Sequence, residues 1–270
     1  MNIIEALGSD RKYTLHSHTQ FCDGRANMED FIKAAVSSRF THYGFSPHSP
    51  VPIDSPCNMA FEDVPAYLAE IARLRDLYGD RIQIYASMEI DYLGSEWGPS
   101  HEYFTSLPLD YRIGSVHFIP APDGQLIDID GSAERFRENM KMHFGDDLRY
   151  VIDAFFDASI AMVEAGGFDI IGHFDKVAQN ASYYSPGVEN SEWFVRRVTE
   201  LIDVICEKKP VVEINTKAKV KHNRIFPSER YLPRLIGAGV PLIVNSDAHE
   251  PQLIDASRDY AFALIDSMTR

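Results

Sequence analysis

The chain reads HSHTQFCDG from His16 to Gly24 and NSDAH from Asn245 to His249. Imidazole and carboxylate are side chains that together hold a divalent cation, the first as a neutral nitrogen donor, the second as an oxygen donor that also balances charge. Two histidines one residue apart in an extended segment project to the same side, so His16 and His18 offer two nitrogens to one point. The same residue types recur at the ends of short apolar runs: His48, Glu89, His117, His173, Asp247 and His249, with Asp23 inside the opening stretch. Each histidine alone reads better as a capping or core imidazole bonded to backbone than as a ligand. Their recurrence at one run end after another points to a metal centre.

Such a centre needs elements that bring distant residues together. Seven β-rich runs can be read: Tyr13–Leu15, His42–Phe45, Ile82–Ile90, Tyr111–Phe118, Phe168–Gly172, Val211–Asn215 and Val240–Val244. Several are almost continuously apolar (IQIYASMEI, DIIGH, VVEIN), as parallel strands covered on both faces require. Between them, Met28–Ser38, Val64–Leu77, Leu148–Glu164 and Ser191–Glu207 carry apolar residues at helical spacing. Gly79, Gly166, Gly167, Gly237 and Gly239 stand just past expected helix ends, where C-terminal caps belong. Strands alternating with helices give an α/β fold with a parallel sheet. Seven units predict a barrel close to a TIM barrel, with a doubly wound open sheet as the second choice. Strand C-terminal ends of such a barrel converge on one face, which would gather the histidines and acids. Pro120–His143 is less regular and reads as a loop with a helix.

Acidic residues outnumber basic ones by 40 to 26 in 270 residues, a formal net charge of -14. That surface repels nucleic acid and anionic lipid, so neither is an expected partner. An anionic substrate would need a local positive centre, which bound cations could supply. Cys22, Cys57 and Cys206 form no CxxC pair and no even framework, which fits a reducing compartment. With no long apolar stretch and no signal-like N-terminus, a soluble, cytoplasmic protein is expected.

The chain resembles the PHP (polymerase and histidinol phosphatase) superfamily, and within it the monofunctional histidinol-phosphate phosphatases. The likeness rests on HSHTQFCDG at 16–24, GFSPHSPVP at 44–52, SMEIDY at 87–92, IGSVHF at 113–118, GHFD at 172–175, EINT at 213–216 and NSDAH at 245–249. It implies a single domain over 1–270, a distorted (β/α)7 TIM-like barrel, and two or three divalent ions of zinc, manganese or iron. It also implies a partition of ligands. One ion would take His16, His18, Glu89 and Asp247; a second would share Glu89 and add His117 and His173; a third would take Asp23, His48 and His249. Many superfamily members carry histidine at the position of Asp23, and a harder carboxylate there favours manganese or iron over zinc.

The implied reaction is hydrolysis of a small phosphate monoester, L-histidinol phosphate, with Asp247 and Glu89 as catalytic residues and a metal-activated water attacking phosphorus. Asp247 or an ordered water would protonate the leaving alkoxide. Arg224 and Lys217, in the loop after the sixth strand, are candidates to grip the phosphate, and Asn215 to orient a ligand. Asp175 could bond a metal-bound histidine. Trp97 could wall the substrate pocket, with a plain packing role as the alternative. The competing readings are the same chemistry on another phosphate ester or nucleotide, a metal-binding domain without catalysis, and metal-dependent amide hydrolysis on a similar barrel.

Overall fold

A computed structural model describes residues 3–269. Its strands are β1 (Tyr13–Thr14), β2 (His42–Phe45), β3 (Gln83–Ala86), β4 (Glu89–Asp91), β5 (Ile113–Ser115), β6 (Phe118–Pro120), β7 (Leu126–Asp128), β8 (Ile170–Ile171), β9 (Val211–Asn215) and β10 (Leu242–Asn245). β1, β2 and β3 form one parallel sheet, and β10, β9, β8, β5 and β4 form another. Isolated parallel bridges, Ser17 to Ala248 and His48 to Glu89, join the two sheets along both seams. The result is the distorted (β/α)7 barrel, with an interrupted ladder in place of a continuous ring.

The interruption corrects the expectation of one strand over Ile82–Ile90. The chain leaves the first sheet at Ala86 and enters the second at Glu89. The buried hydroxyl of Tyr67 sits at the break, where it donates to Ser87 O at 2.7 Å and so satisfies a carbonyl that leaves the ladder. The run Tyr111–Phe118 also divides. Its tail becomes β6, which pairs antiparallel with β7 in a hairpin that the reading of Pro120–His143 as loop plus helix did not contain. The helix of that region covers Ala133–His143.

The main helices agree with the apolar periodicity: Met28–Ser37, Val64–Tyr78, Leu148–Ala165 and Glu192–Lys208. Gly166, Gly167 and Gly239 take positive φ beyond helix ends. Gly79 does not (φ -65°), and Gly237 lies inside the helix Leu232–Gly237. Inside the barrel, Tyr13, Tyr85, Ile113, Ile170 and Ile243 come one each from β1, β3, β5, β8 and β10 and pack with Ile3 and Leu7. Side chains from several staves filling the interior are how a small parallel barrel makes a core rather than a pore. Gly44 in β2 is needed for this closeness, since a Cβ there would run into the Tyr111 hydroxyl. Two further apolar clusters lie outside. One joins β2 and β3 to Met28–Ser37 and Val64–Tyr78, and the other packs Leu148–Ala165 and Glu192–Lys208 over the second sheet.

Candidate metal centre

Above the apolar layer the barrel interior turns polar. His16 and His18 leave β1, His48 follows β2, Glu89 opens β4, His117 follows β5, His173 follows β8, and Asp247 and His249 follow β10. These eight and Asp23 meet at one rim. Their donor atoms form overlapping groups with every atom within 4.8 Å of the others: His18, Asp23, His48 and His249; His16, His173 and Asp247; His16, His18 and Glu89; His48, Glu89 and His117. The structure thus brings together all nine side chains expected to converge, though they partition differently. His18 reaches across to Asp23 (3.2 Å), and Asp247 groups with His173 as well as with His16. Glu89 sits at the centre: Oε1 is 2.8 Å from His173 Nε2 and 3.4 Å from His117 Nε2, while Oε2 is 3.2 Å from His16 Nε2 and 3.3 Å from His48 Nδ1.

Local backbone explains the convergence. The turn holding Asp23 closes through Gly24 N to Thr19 O (3.0 Å), and a Cβ on Gly24 would strike the Thr19 backbone. His18 N donates to Ala248 O and Arg25 N to His249 O, tying the first loop to the last. Asp247 takes φ 49°, a left-handed conformation that aspartate tolerates better than most residues and that costs on the order of 1 kcal/mol. Asn215 Nδ2 donates to Asp247 Oδ2 and to Glu213 Oε2, both at 3.0 Å, and fixes that carboxylate.

The donor set fits cations. Nε2 of His16 and His18, Nδ1 of His48 and Oδ1 of Asp23 are buried without a hydrogen bond of sound geometry, although carboxylate oxygens lie close. Buried polar atoms in native folds are almost always satisfied, so four such atoms at one point call for a ligand. Behind the rim, Glu213 Oε1 accepts from His16 Nδ1 and Asp91 Oδ1 from His117 Nδ1, both at 2.7 Å. Each bond turns Nε2 forward, as metal-bound histidines require. Neither acid was singled out in the sequence, although an acid inside an otherwise apolar strand demands a buried partner. Asp175, expected in that role, instead accepts from Ser228 N at 2.8 Å, and burial pushes its carboxyl up to about 7.

Burial alone would lower His16, but the carboxylates of Glu213, Glu89 and Asp247 push it up to about 10 in the metal-free protein. Against the same burial cost, Asp23 and Asp247 raise His18, and Asp91 and Glu89 raise His117. Burial is the main cause that lowers His48, His173 and His249, the last to about 4. Despite burial, Lys217, His16 and His18 hold Asp247 well below the usual carboxylate range, and His16, His117 and His48 do the same for Glu89.

Of the candidates for substrate contact, Lys217 reaches the rim, with Nζ 3.3 Å from Asp247 Oδ1 and 3.2 Å from His249 Nε2. Asn215 is committed to the two carboxylates and to Lys217 N, so its amide positions the site rather than facing a ligand. Arg224 is not brought to the rim: its guanidinium makes a two-pronged pair with Glu189. Trp97 packs among Phe61, Tyr103 and Phe104. Cys22 Sγ lies 3.6 Å from His18 Nδ1. His42 bonds Tyr85, His101 caps a helix and His222 bonds Tyr183, all away from the cluster. A cavity of about 120 Å³ opens beside the rim, lined among others by Asp23, His48, His117, Lys217, Asp128 and Asp130.

The PHP domain family model matches residues 14–217, and the chain belongs to that family. A Schizosaccharomyces pombe protein named "Probable histidinol-phosphatase" is 27% identical, covering 93% of this chain and 85% of its own length. A Deinococcus radiodurans protein of the same name is 24% identical, covering 87% of this chain and 85% of its own. Among solved structures, the histidinol phosphate phosphatase of Lactococcus lactis, complexed with zinc, L-histidinol and phosphate, aligns at a TM-score of 0.68 and 21% identity over 96% of this chain and 94% of that one. At that identity the likeness speaks for the fold.

Proposed function

We propose that this protein is a metal-dependent phosphomonoesterase that hydrolyses L-histidinol phosphate to L-histidinol and phosphate. The observation that carries the reading is the gathering of six imidazoles and three carboxylates at one barrel rim, four of their buried donor atoms lacking a hydrogen bond of sound geometry. The names of the two curated relatives support the substrate. His16, His18, Asp23, His48, Glu89, His117, His173, Asp247 and His249 would hold two or three ions of zinc, manganese or iron. Bound there, the cations supply the positive charge that binds phosphate and that makes water acidic enough to attack phosphorus.

The chain's own groups do the rest. Glu213 and Asp91 aim His16 and His117, and Asn215 aims Asp247. Held ionised, Asp247 can accept a proton from the attacking water. The leaving alkoxide takes its proton from Asp247, once that carboxylate has received one from the attacking water, or from an ordered water; Lys217 Nζ lies 3.3 Å from Asp247 Oδ1. The free thiols of Cys22, Cys57 and Cys206 fit a cytoplasmic site of action; among the described residues no helix is long and apolar enough to cross a membrane.

The test is turnover of L-histidinol phosphate against p-nitrophenyl phosphate by the metal-loaded protein. We expect kcat/KM to favour histidinol phosphate by roughly a hundredfold, the scale of one or two well-placed polar contacts to the alcohol; equal efficiency would sink the substrate assignment. His16→Ala and Asp247→Ala should each abolish turnover with the circular dichroism spectrum unchanged. Either variant keeping half its turnover with metals bound would contradict the site.

A further inference from the structure

With Arg224 committed to Glu189, the cations available to a phosphate are few, and one of them, Lys176, was not anticipated. Lys176 follows His173 by three residues, and its N–H donates to His173 O at 2.9 Å, so the turn that aims His173 also places Lys176. Its side chain is only 14% exposed, and Nζ bonds Asp130 Oδ2 at 2.5 Å. Lys176 lines a cavity of about 240 Å³ with Lys217, Lys221 and His222. Asp130 and Lys217 line this cavity and also the one over His48 and His117, so the two spaces adjoin across those side chains. Three lysines around one cavity stand out in a chain of net charge -14.

A buried ion pair is weak support for a fold, since an apolar pair of similar volume often does as well or better. A lysine kept on a cavity wall next to a cluster that would bind phosphate has a better explanation in binding. The fields of Asp130, Asp247 and Glu89 overcome burial and keep its ammonium charged.

We propose that Lys176, together with Lys217, grips the phosphoryl group of the substrate, and that Asp130 is the counterion Lys176 leaves when the anion arrives. This rests on the phosphatase reading but not on the identity of the alcohol. In the free protein the Lys176–Asp130 pair keeps the ammonium charged and aimed; on binding, a phosphate oxygen takes the place of the Asp130 carboxylate.

Exchange predicts opposite effects of the two partners. The probe is inorganic phosphate, titrated calorimetrically into metal-loaded protein, with metal content measured on every sample. Lys176→Gln should weaken phosphate binding roughly tenfold or more, the scale of a lost charge-assisted hydrogen bond, and raise KM more than it lowers kcat. Lys176→Arg should restore most of the affinity. Asp130→Asn removes the competitor and should tighten phosphate binding. A pair that merely braced the fold would shift both variants the same way. The double variant Lys176→Gln/Asp130→Asn leaves the wall neutral if a single change unfolds the protein, and it too should bind phosphate weakly. Lys176→Gln or the double variant within twofold of wild type at full metal content overturns the proposal, as does Asp130→Asn binding as poorly as Lys176→Gln. A wild type that binds phosphate and cleaves p-nitrophenyl phosphate but ignores histidinol phosphate overturns the substrate reading, while the same affinities still decide Lys176.

Discussion

A carboxylate behind an imidazole fixes which nitrogen faces forward and makes it a stronger donor, and Glu213 does this for His16 with a 2.7 Å bond. Glu213→Gln should therefore keep the fold yet lower metal affinity by roughly 10–100-fold, read by metal content after dialysis against graded chelator. Protons compete for the same nitrogens. His16, His18 and His117 are raised in the metal-free protein, His16 to about 10, so at neutral pH they hold protons that loading must expel. Metal affinity should fall as pH falls, and calorimetry in buffers of different ionisation enthalpy should find net proton release on loading at pH 7; no release would refute the raised values. Eight of the rim residues were legible because histidines and acids recur at the ends of successive apolar runs, and Asp23 because it lies in the loop that follows the first of them. Glu213, Asp91 and Lys176 were not, because what they do depends on partners up to 197 residues away. Arg224 was misplaced for the same reason: Glu189, 35 residues upstream, captures it.

Four helices, Met28–Ser37, Val64–Tyr78, Leu148–Ala165 and Glu192–Lys208, were legible to within a residue or two because their apolar period is strong and their packing is local, whereas Val177–Tyr184 and Arg258–Met268 were not read. Leu148–Ala165 buries Val151, Ile152, Phe155, Phe156, Met162 and Val163. Its first turn is capped by Asp147, whose Oδ1 accepts from Tyr150 N at 3.0 Å. Asp147→Ala should cost about 1 kcal/mol, a fall of about 2–4 °C in Tm by differential scanning calorimetry, with kcat/KM unchanged. Strands were legible as runs but not as ladders. Nothing in IQIYASMEI shows that pairing switches sheets at Ser87, because the switch depends on the Tyr67 hydroxyl, which arrives from another element. The β6–β7 hairpin was missed because its strands are three residues each, too short to show alternation, and join through Pro122–Gly124.

At the scale of the molecule the two sheets divide the rim between them. His16, His18, Asp23 and His48 extend from the three-stranded sheet; Glu89, His117, His173, Asp247 and His249 belong to the five-stranded one. Cations bound by both sets would tie the sheets together as well as serve chemistry. Amide hydrogen exchange should therefore slow on metal loading at His18, Ser49 and Glu89, whose N–H groups bond across the seams to Ala248, Glu89 and Pro47. Equal exchange with and without metal would show that the seams hold unaided.

The broken ladder has a consequence for the life of the protein. A staved vessel without a continuous hoop depends on whatever clasps its mouth, and here the clasp would be the ions themselves. A cell short of metal would then lose more than turnover: the unclasped chain would open along Ser17–Ala248 and His48–Glu89 and become the form that proteases cut first.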